Sequence, residues 1–374
     1  MGNRTDAFLL LSILIIVLAM TIPGIKHSAI VEQDAASHLM DGVFFHDLIQ
    51  DLPVHDLKDY PFRYYAQYPA LGFLFWPPLF AFIEALFFLA GGISITSAIL
   101  AIGFFSCLLA LSLYDMVKFS TSRLFAFFAV LLLLTIQQVS LYLNVVMLDI
   151  PMLGMSCLTV ALYLRITRAS GSESWAQWAS LACVASMALY VKQTCFIVLA
   201  AIAIDFIVNH RKWLKSPRLW LAVVLFTFLT MPLAVYTIKF GQANIAQSLG
   251  KQTNLIMPGY LGMPRWSVQN WLYYAKIICG QIHPILIISA AAGILHSLID
   301  SARFKQALLW IAWILCFYLF FSYFDNKAPR FAMLTYPPLV IIGVEFIHRM
   351  LKKLKPYIYI YHASLAWPFP SSLA

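Results

Sequence analysis

Apolar residues in this chain come in unbroken runs of about 16 to 23. A half-buried strand would alternate, and a soluble helix would show a 3.6-residue stripe. Runs of this length match the hydrocarbon thickness of a bilayer. The pattern predicts an all-α polytopic membrane protein, with spans at about 7–23, 94–117, 123–141, 149–164, 176–190, 193–208, 219–238, 281–299, 306–323 and 330–347. A further apolar segment, 72–90, opens on "WPPLF" and carries Glu84, so it either spans or lies in the interface. About ten or eleven transmembrane helices result. No stretch outside the runs could bury a soluble core, so residues 1–374 read as one integrated unit. The first run lacks a small-residue cleavage site and reads as a retained signal-anchor.

The polar positions are as informative. Residues 24–92 form a long loop, and its stretch 29–61 holds seven of the 16 acidic residues. Within it "EQDAASHLMDG" has no helix breaker before Gly42, so residues 34–41 are expected to form a helix lying along the interface. Asp34, His38 and Asp41 then fall at i, i+4 and i+7, on one face. The segment "QYPALGFLFWPPLF" adds an aromatic belt of Phe73, Phe75, Trp76 and Phe80. Such a belt suits a lipid-chain groove or ordinary interfacial packing.

Charge fixes the expected topology. Of 374 residues, 62% are hydrophobic and 11% charged, with a formal net charge of +9. An excess of that size suggests nucleic acid only until the cations are placed. They gather in short loops between spans, where they set orientation and meet anionic lipid headgroups. With the N-terminus cytoplasmic and 72–90 uncrossed, Arg4 and the loops "KFSTSR", "RITR", "HRKWLKSPR", "SARFK" and "HRMLKKLK" put 15 of the 25 Lys and Arg residues inside. Residues 348–374 become a basic cytoplasmic tail. If 72–90 crossed, every dense basic loop would face outward. The six cysteines all lie in apolar runs without a CxxC pair, which argues for packing rather than disulfides or a thiolate metal site.

The same topology brings Asp34, Asp149, Lys192, Lys327 and Arg330 to the outer face. Any one of them could be a helix cap or an interfacial anchor. Five at one face suggest chemistry. A carboxylate beside a histidine at the water boundary suits general-base work or a divalent cation, with Glu32, Asp34 and His38 as the ligands and Asp149 within the same set. Lys192 occupies a very short turn between two apolar helices, a place for a phosphate at headgroup depth. Lys327 and Arg330, three residues apart at the start of the last span, are expected to share a face and neutralise a phosphate together.

These elements carry a resemblance. An acidic E-x-D pair after the first span, "PPL" before an apolar helix, "LDIP", a lone Lys between spans and "K-x-x-R" before the last span occur in that order. Over roughly residues 8–347 the chain resembles the GT-C class of integral-membrane glycosyltransferases, in the protein O-mannosyltransferase and aminoarabinose transferase branch. The resemblance implies a polyprenyl-phosphate sugar donor, outward transfer with inversion, and interfacial helices in the first loop. It places Asp34 and Asp149 as the acidic residues of the active site, and Lys192, Lys327 and Arg330 near the donor phosphate. Many relatives have Asp-Glu where this chain has Asp34-Ala35, so either Glu32 supplies the second carboxylate or nothing does. The soluble C-terminal domain of some members has no counterpart in "YIYIYHASLAWPFPSSLA".

The expectation is therefore a membrane glycosyltransferase that moves a sugar from a lipid-phosphate donor to a hydroxyl on a lipid, glycan or protein acceptor. It needs no nucleic acid, and a divalent cation is optional. A bacterial inner membrane suits this reading, and an endoplasmic reticulum protein would read similarly. The rival is a transporter or lipid flippase, which should carry ionisable groups near mid-membrane in broken helices. Here the mid-span regions are nearly free of charge.

Overall fold

The computed structural model describes residues 2–27, 30–72, 75–168, 174–242, 245, 263–324 and 327–365. Their regular structure is helical, with no strand among the described residues. The N-terminal helix α1 (Gly2–His27) leads into three helices of the first loop, α2 (Gln33–Asp51), α3 (Tyr60–Gln67) and α4 (Leu79–Gly91). The bundle follows as α5 (Ile95–Lys118), α6 (Arg123–Leu134), α7 (Gln137–Tyr142), α8 (Asp149–Arg168), α9 (Trp175–Val191), α10 (Phe196–Asn209) and α11 (Pro217–Phe240). It closes with α12 (Val268–Gln281), α13 (Pro284–Leu298), α14 (Ser301–Tyr323) and α15 (Tyr336–Leu365). Six helical stretches are long and apolar enough to cross a membrane, and five shorter apolar helices accompany them. The protein is an all-α, multi-pass membrane protein.

Helix starts follow local chemistry. Ser94 accepts from the Ser97 amide (3.2 Å) at α5, and Ser267 accepts from the Asn270 amide (3.1 Å) at α12. Ser174 and Gln177 close a reciprocal capping box at α9, with bonds of 3.2 and 2.8 Å. These side chains satisfy amides that have no partner within their own helix.

Four expectations need correction. The interfacial helix runs over Gln33–Asp51, not 34–41, because Gly42 does not break it. A Cβ at Gly42 would overlap the Glu84 carboxyl, so this glycine is where α2 and α4 touch. The predicted span 123–141 divides at Thr135, whose hydroxyl donates to the Leu131 carbonyl (2.9 Å) and turns the chain before α7. The last span does not begin as an α-helix at 330: Pro329–Thr335 is 3-10, and α15 starts at Tyr336 with Pro337 and Pro338 in its first turn. The apolar pattern does not predict helix α12, because Asn270 and Lys276 interrupt its apolar run and Gln281 ends it.

The segment 72–90 also resolves. Its helix α4 has 13 residues, about 20 Å at 1.5 Å per residue, which is short of a hydrocarbon core of about 30 Å. Glu84 on it is fully buried, with no hydrogen-bond partner among the described residues. Burial first, and then the nearby Asp41 charge, push its carboxyl well above the usual carboxylate range. A neutral Glu84 fits an apolar contact.

At the other end of the bundle the basic segments meet. Ser120, Arg168, His210, Lys305 and Arg349, from the loops predicted to lie together, line one cavity. Between the two ends the core is apolar, and its centre is the packing of α5 on α8. A Cβ at Gly154 would stand 2.7 Å from the Phe105 carbonyl oxygen, so only glycine permits this approach. Gly154→Ala should lower the melting temperature of the purified protein, at about 1–3 kcal/mol, because the obstructing atom is backbone. Gly103→Ala is the control, since its nearest neighbour would be 3.8 Å away. Equal melting temperatures for the two variants would show that α5 and α8 do not depend on this contact.

Candidate active site

Asp149 is the first residue of α8, where the helix dipole favours a negative charge. Lys192 caps α9 in an extended conformation (φ −157°), which ends the helix and sends its side chain toward Asp149. The ammonium meets Asp149 Oδ1 at 2.9 Å, with both groups buried. Desolvating two charges costs several kcal/mol per ion, so each depends on the other to be tolerated. Asp149 Oδ2 has no hydrogen-bond partner among the described residues.

A second ion cluster lies beside the first. Arg330, in the 3-10 turn before α15, donates to Asp34 Oδ2 at 2.8 Å and to Glu32 Oε2 at 3.3 Å. The guanidinium is 9% exposed, whereas the two carboxylates are 28% and 36% exposed and reach solvent. Tyr142, at the end of α7, donates to Glu32 Oε1 (2.6 Å). Phe331 joins the clusters: its ring centroid lies 5.7 Å from the Lys192 ammonium and 5.7 Å from the Arg330 guanidinium. Asp34, Asp149, Lys192 and Arg330 are thus brought together, on elements far apart in sequence. Glu32 is the second carboxylate beside Asp34.

Lys327 is bonded to the end of α14, whereas Arg330 is bonded to the first loop. Pro329 starts the 3-10 turn, so Lys327 precedes the helix and the three-residue spacing does not align the two side chains. The fully buried Lys327 ammonium donates to the Phe321 carbonyl and to that of Ser322 (3.2 Å), 5.2 Å from the Tyr274 ring centroid. It caps the carbonyl-rich end of α14, where a cation is favoured.

His38 and Asp41 share a face of α2, as their spacing predicts, and that face is buried. The His38 ring lies 5.4 Å from Trp76 and 6.4 Å from Phe80, centroid to centroid. Asp41 accepts from the Gly72 amide (2.8 Å) and pins the turn that leads to α4. Phe73 of the aromatic belt lies outside the described residues. No group of three or more His, Cys, Asp and Glu among the described residues is arranged to hold a metal ion. Glu32, Asp34 and His38 therefore do not fit the cation that their spacing suggested. The two carboxylates face Arg330, and the imidazole faces aromatic rings.

Tyr142 and Phe331 were not singled out from the sequence. The chain has 18 tyrosines and 29 phenylalanines, and nothing local sets these two apart.

Burial above all, then the Lys192 charge, pushes the His38 imidazole down to about 3. The unfolded chain takes up a proton near pH 6.5, while the folded protein does not until about pH 3. The neutral imidazole's contribution is therefore present above pH 6.5 and is lost as pH falls. The expected slope is about 1.4 kcal/mol per pH unit. Between pH 6.5 and 5, above the ordinary carboxylate range, His38→Gln should flatten the decline in melting temperature. A decline as steep as that of wild type would show that His38 is not buried as a neutral group.

The family model of dolichyl-phosphate-mannose-protein mannosyltransferases matches residues 76–236. No curated protein matches the sequence. Among solved structures, ArnT from Cupriavidus metallidurans bound to undecaprenyl phosphate is similar at 16% identity and a TM-score of 0.64, covering 97% of this chain and 65% of that one. Its apo state gives 17% and 0.63, covering 100% and 66%. The Archaeoglobus fulgidus oligosaccharyltransferase, tethered to an acceptor peptide containing the NVT sequon, gives 14% and 0.59, covering 94% and 50%. The chain spans about two thirds of the length of the ArnT structures. The chain shares the fold of these ArnT and oligosaccharyltransferase structures.

Proposed function

We propose that the protein transfers a sugar from a polyprenyl-phosphate donor to an acceptor hydroxyl, with inversion at the anomeric carbon. One observation carries this reading. A guanidinium held by two carboxylates lies beside a buried Lys–Asp pair, at one end of a fold shared with a protein that binds undecaprenyl phosphate.

Carboxylate and phosphate oxygens offer Arg330 the same kind of acceptor, so Glu32 and Asp34 can yield the guanidinium to an arriving phosphate. Two events then coincide. Arg330 gains the leaving group, and the Asp34 carboxylate is open to accept a proton. Asp34 takes the proton of the acceptor hydroxyl as the oxygen attacks the anomeric carbon. The bond to the phosphate oxygen breaks, and its electron pair goes to the phosphate. Arg330 and Lys192 stabilise that developing charge in a low-dielectric site. Asp149 holds Lys192 in place, and its second oxygen suits a sugar or acceptor hydroxyl. Lys327, assigned to the phosphate by its place in K-x-x-R, acts here by fixing the segment that carries Arg330. No step uses a metal ion, because the donor set does not gather one. The acceptor is a lipid, glycan or protein hydroxyl.

In this reading the site faces away from the cytoplasm, across a bacterial inner membrane. The dense basic content of 209–218 against the acidic first loop supports the orientation. A transporter or flippase would need ionisable groups midway along its spans. Asp149 and Lys192 instead stand at helix ends.

The test is incubation of the purified protein with a panel of radiolabelled polyprenyl-phosphate sugars, scoring release of the lipid phosphate. Asp34→Asn should lose about 10²–10⁴ in rate while still inserting and binding donor, as expected for loss of a general base. Arg330→Lys should weaken donor use, because an ammonium cannot fork a phosphate, and Arg330→Ala should weaken it further. Release by no member of the panel, or wild-type kinetics in all three variants, would overturn the assignment. Single cysteines at exposed positions of 24–68, on a Cys-free background, should react with an impermeant maleimide in intact cells, and those at exposed positions of 209–218 should not. The reverse labelling would invert the orientation.

A further inference from the structure

The end of the bundle opposite the candidate active site holds a cavity of about 630 Å³. It is walled by the turn that follows α5, the last turns of α8 and α10, the first turns of α14, and the body of α15. Four permanent cations line it, Arg168, Lys305, Arg349 and Lys352, against two carboxylates, Asp205 and Glu345.

The carboxylates are already engaged. Asp205 accepts from the Tyr163 hydroxyl (2.6 Å) and the Asn209 amide (2.7 Å). Glu345 accepts from Ser120 and lies 3.5 Å from Arg349. No carboxylate among the described residues pairs with Arg168, Lys305 or Lys352. Helix dipoles account for one of these three. Arg168 stands at the negative end of α8, but Lys305 is in the opening turns of α14, at its positive end, and Lys352 is inside α15. Like charges around one opening repel, and an anion between them removes the repulsion.

We propose that this cavity binds a phosphate-bearing anion. Arginine forks match phosphate oxygens and lysines add point charge. The volume far exceeds the roughly 30 Å³ share of one water, so it admits a phosphate with a further polar group. A phospholipid headgroup and a small soluble phosphoester share that chemistry. The site is separate from the proposed transfer chemistry and does not depend on it.

The protein is reconstituted into phosphatidylcholine nanodiscs and titrated with inorganic phosphate and glycerol phosphate, with chloride holding ionic strength constant. A second arm replaces part of the phosphatidylcholine with phosphatidylglycerol. Thermal unfolding is read in both. The melting temperature should rise in at least one arm: a rise with soluble phosphate identifies a soluble ligand, and a rise with phosphatidylglycerol identifies a headgroup. The triple variant Arg168→Gln/Lys305→Gln/Lys352→Gln changes only exposed side chains. It should weaken the apparent affinity by about tenfold or more, because charged hydrogen bonds to the anion are lost. Lys58→Gln, an exposed change in the first loop, should leave it unaltered. No rise in either arm, or a rise that the triple variant retains in full, overturns the proposal.

Discussion

Charge has to be buried at one end of this bundle, and the surrounding structure is arranged so that none of it is buried alone. Lys192 and Asp149 are both nearly inaccessible, so neither is tolerable without the other. Arg330 is almost as buried, and its partners come from the first loop, about three hundred residues earlier in the chain. The pairing therefore does more than neutralise. It docks the start of α2 onto the turn before α15. Tyr142 extends the tie through Glu32, and Asn144 extends it again by accepting from the Gly24 amide at 2.7 Å. A loop that the hydrophobic pattern leaves outside the spans is thereby fixed to the bundle by polar contacts.

This arrangement explains how far the sequence could be read. Asp34, Asp149, Lys192 and Arg330 were legible because a charge at the end of an apolar run is rare, and orientation by basic loops sorts such ends into two groups. Their convergence follows from span order alone. The pairing does not, because which acid meets which base depends on helix packing across the bundle. Lys327 shows the limit at shorter range. Its spacing from Arg330 has meaning only inside a regular helix, and Pro329 puts it outside one. His38 and Asp41 show another. Their period correctly put them on one face, but periodicity does not say whether that face meets water or Trp76.

Helix boundaries depart from the hydropathy pattern where polar and apolar signals overlap. An apolar run continues through Thr135 although the helix does not, since a hydroxyl that bonds to its own backbone is invisible to a hydropathy window. Helix α12 presents the converse. Its polar residues are accommodated by neighbours, with Asn270 donating to the Ser322 carbonyl at 2.6 Å, so the segment packs in spite of its composition. Burying a polar group is tolerable when its hydrogen bonds are met, and sequence composition counts the group without the bond.

The two ends of the bundle differ in what holds them. At the candidate active site every cation has a carboxylate or carbonyl close by, and helix α8 turns its positive end toward Asp149. At the far end α8 finishes at Arg168, among cations that exceed the acids available to them. Nineteen residues of helix separate Asp149 from Arg168, about 28 Å. That exceeds the screening length of roughly 8 Å that applies where charges meet physiological salt. Direct electrostatic influence between an anion at one end and a phosphate at the other is therefore weak. Any coupling has to be mechanical, through an element with two packed arrangements. Helix α8 reaches both ends, and the close contact of Gly154 with Phe105 lies between them. A backbone approach that admits no extra methyl leaves α8 little freedom to slide on α5, so the two ends are expected to work as separate sites on one rigid frame.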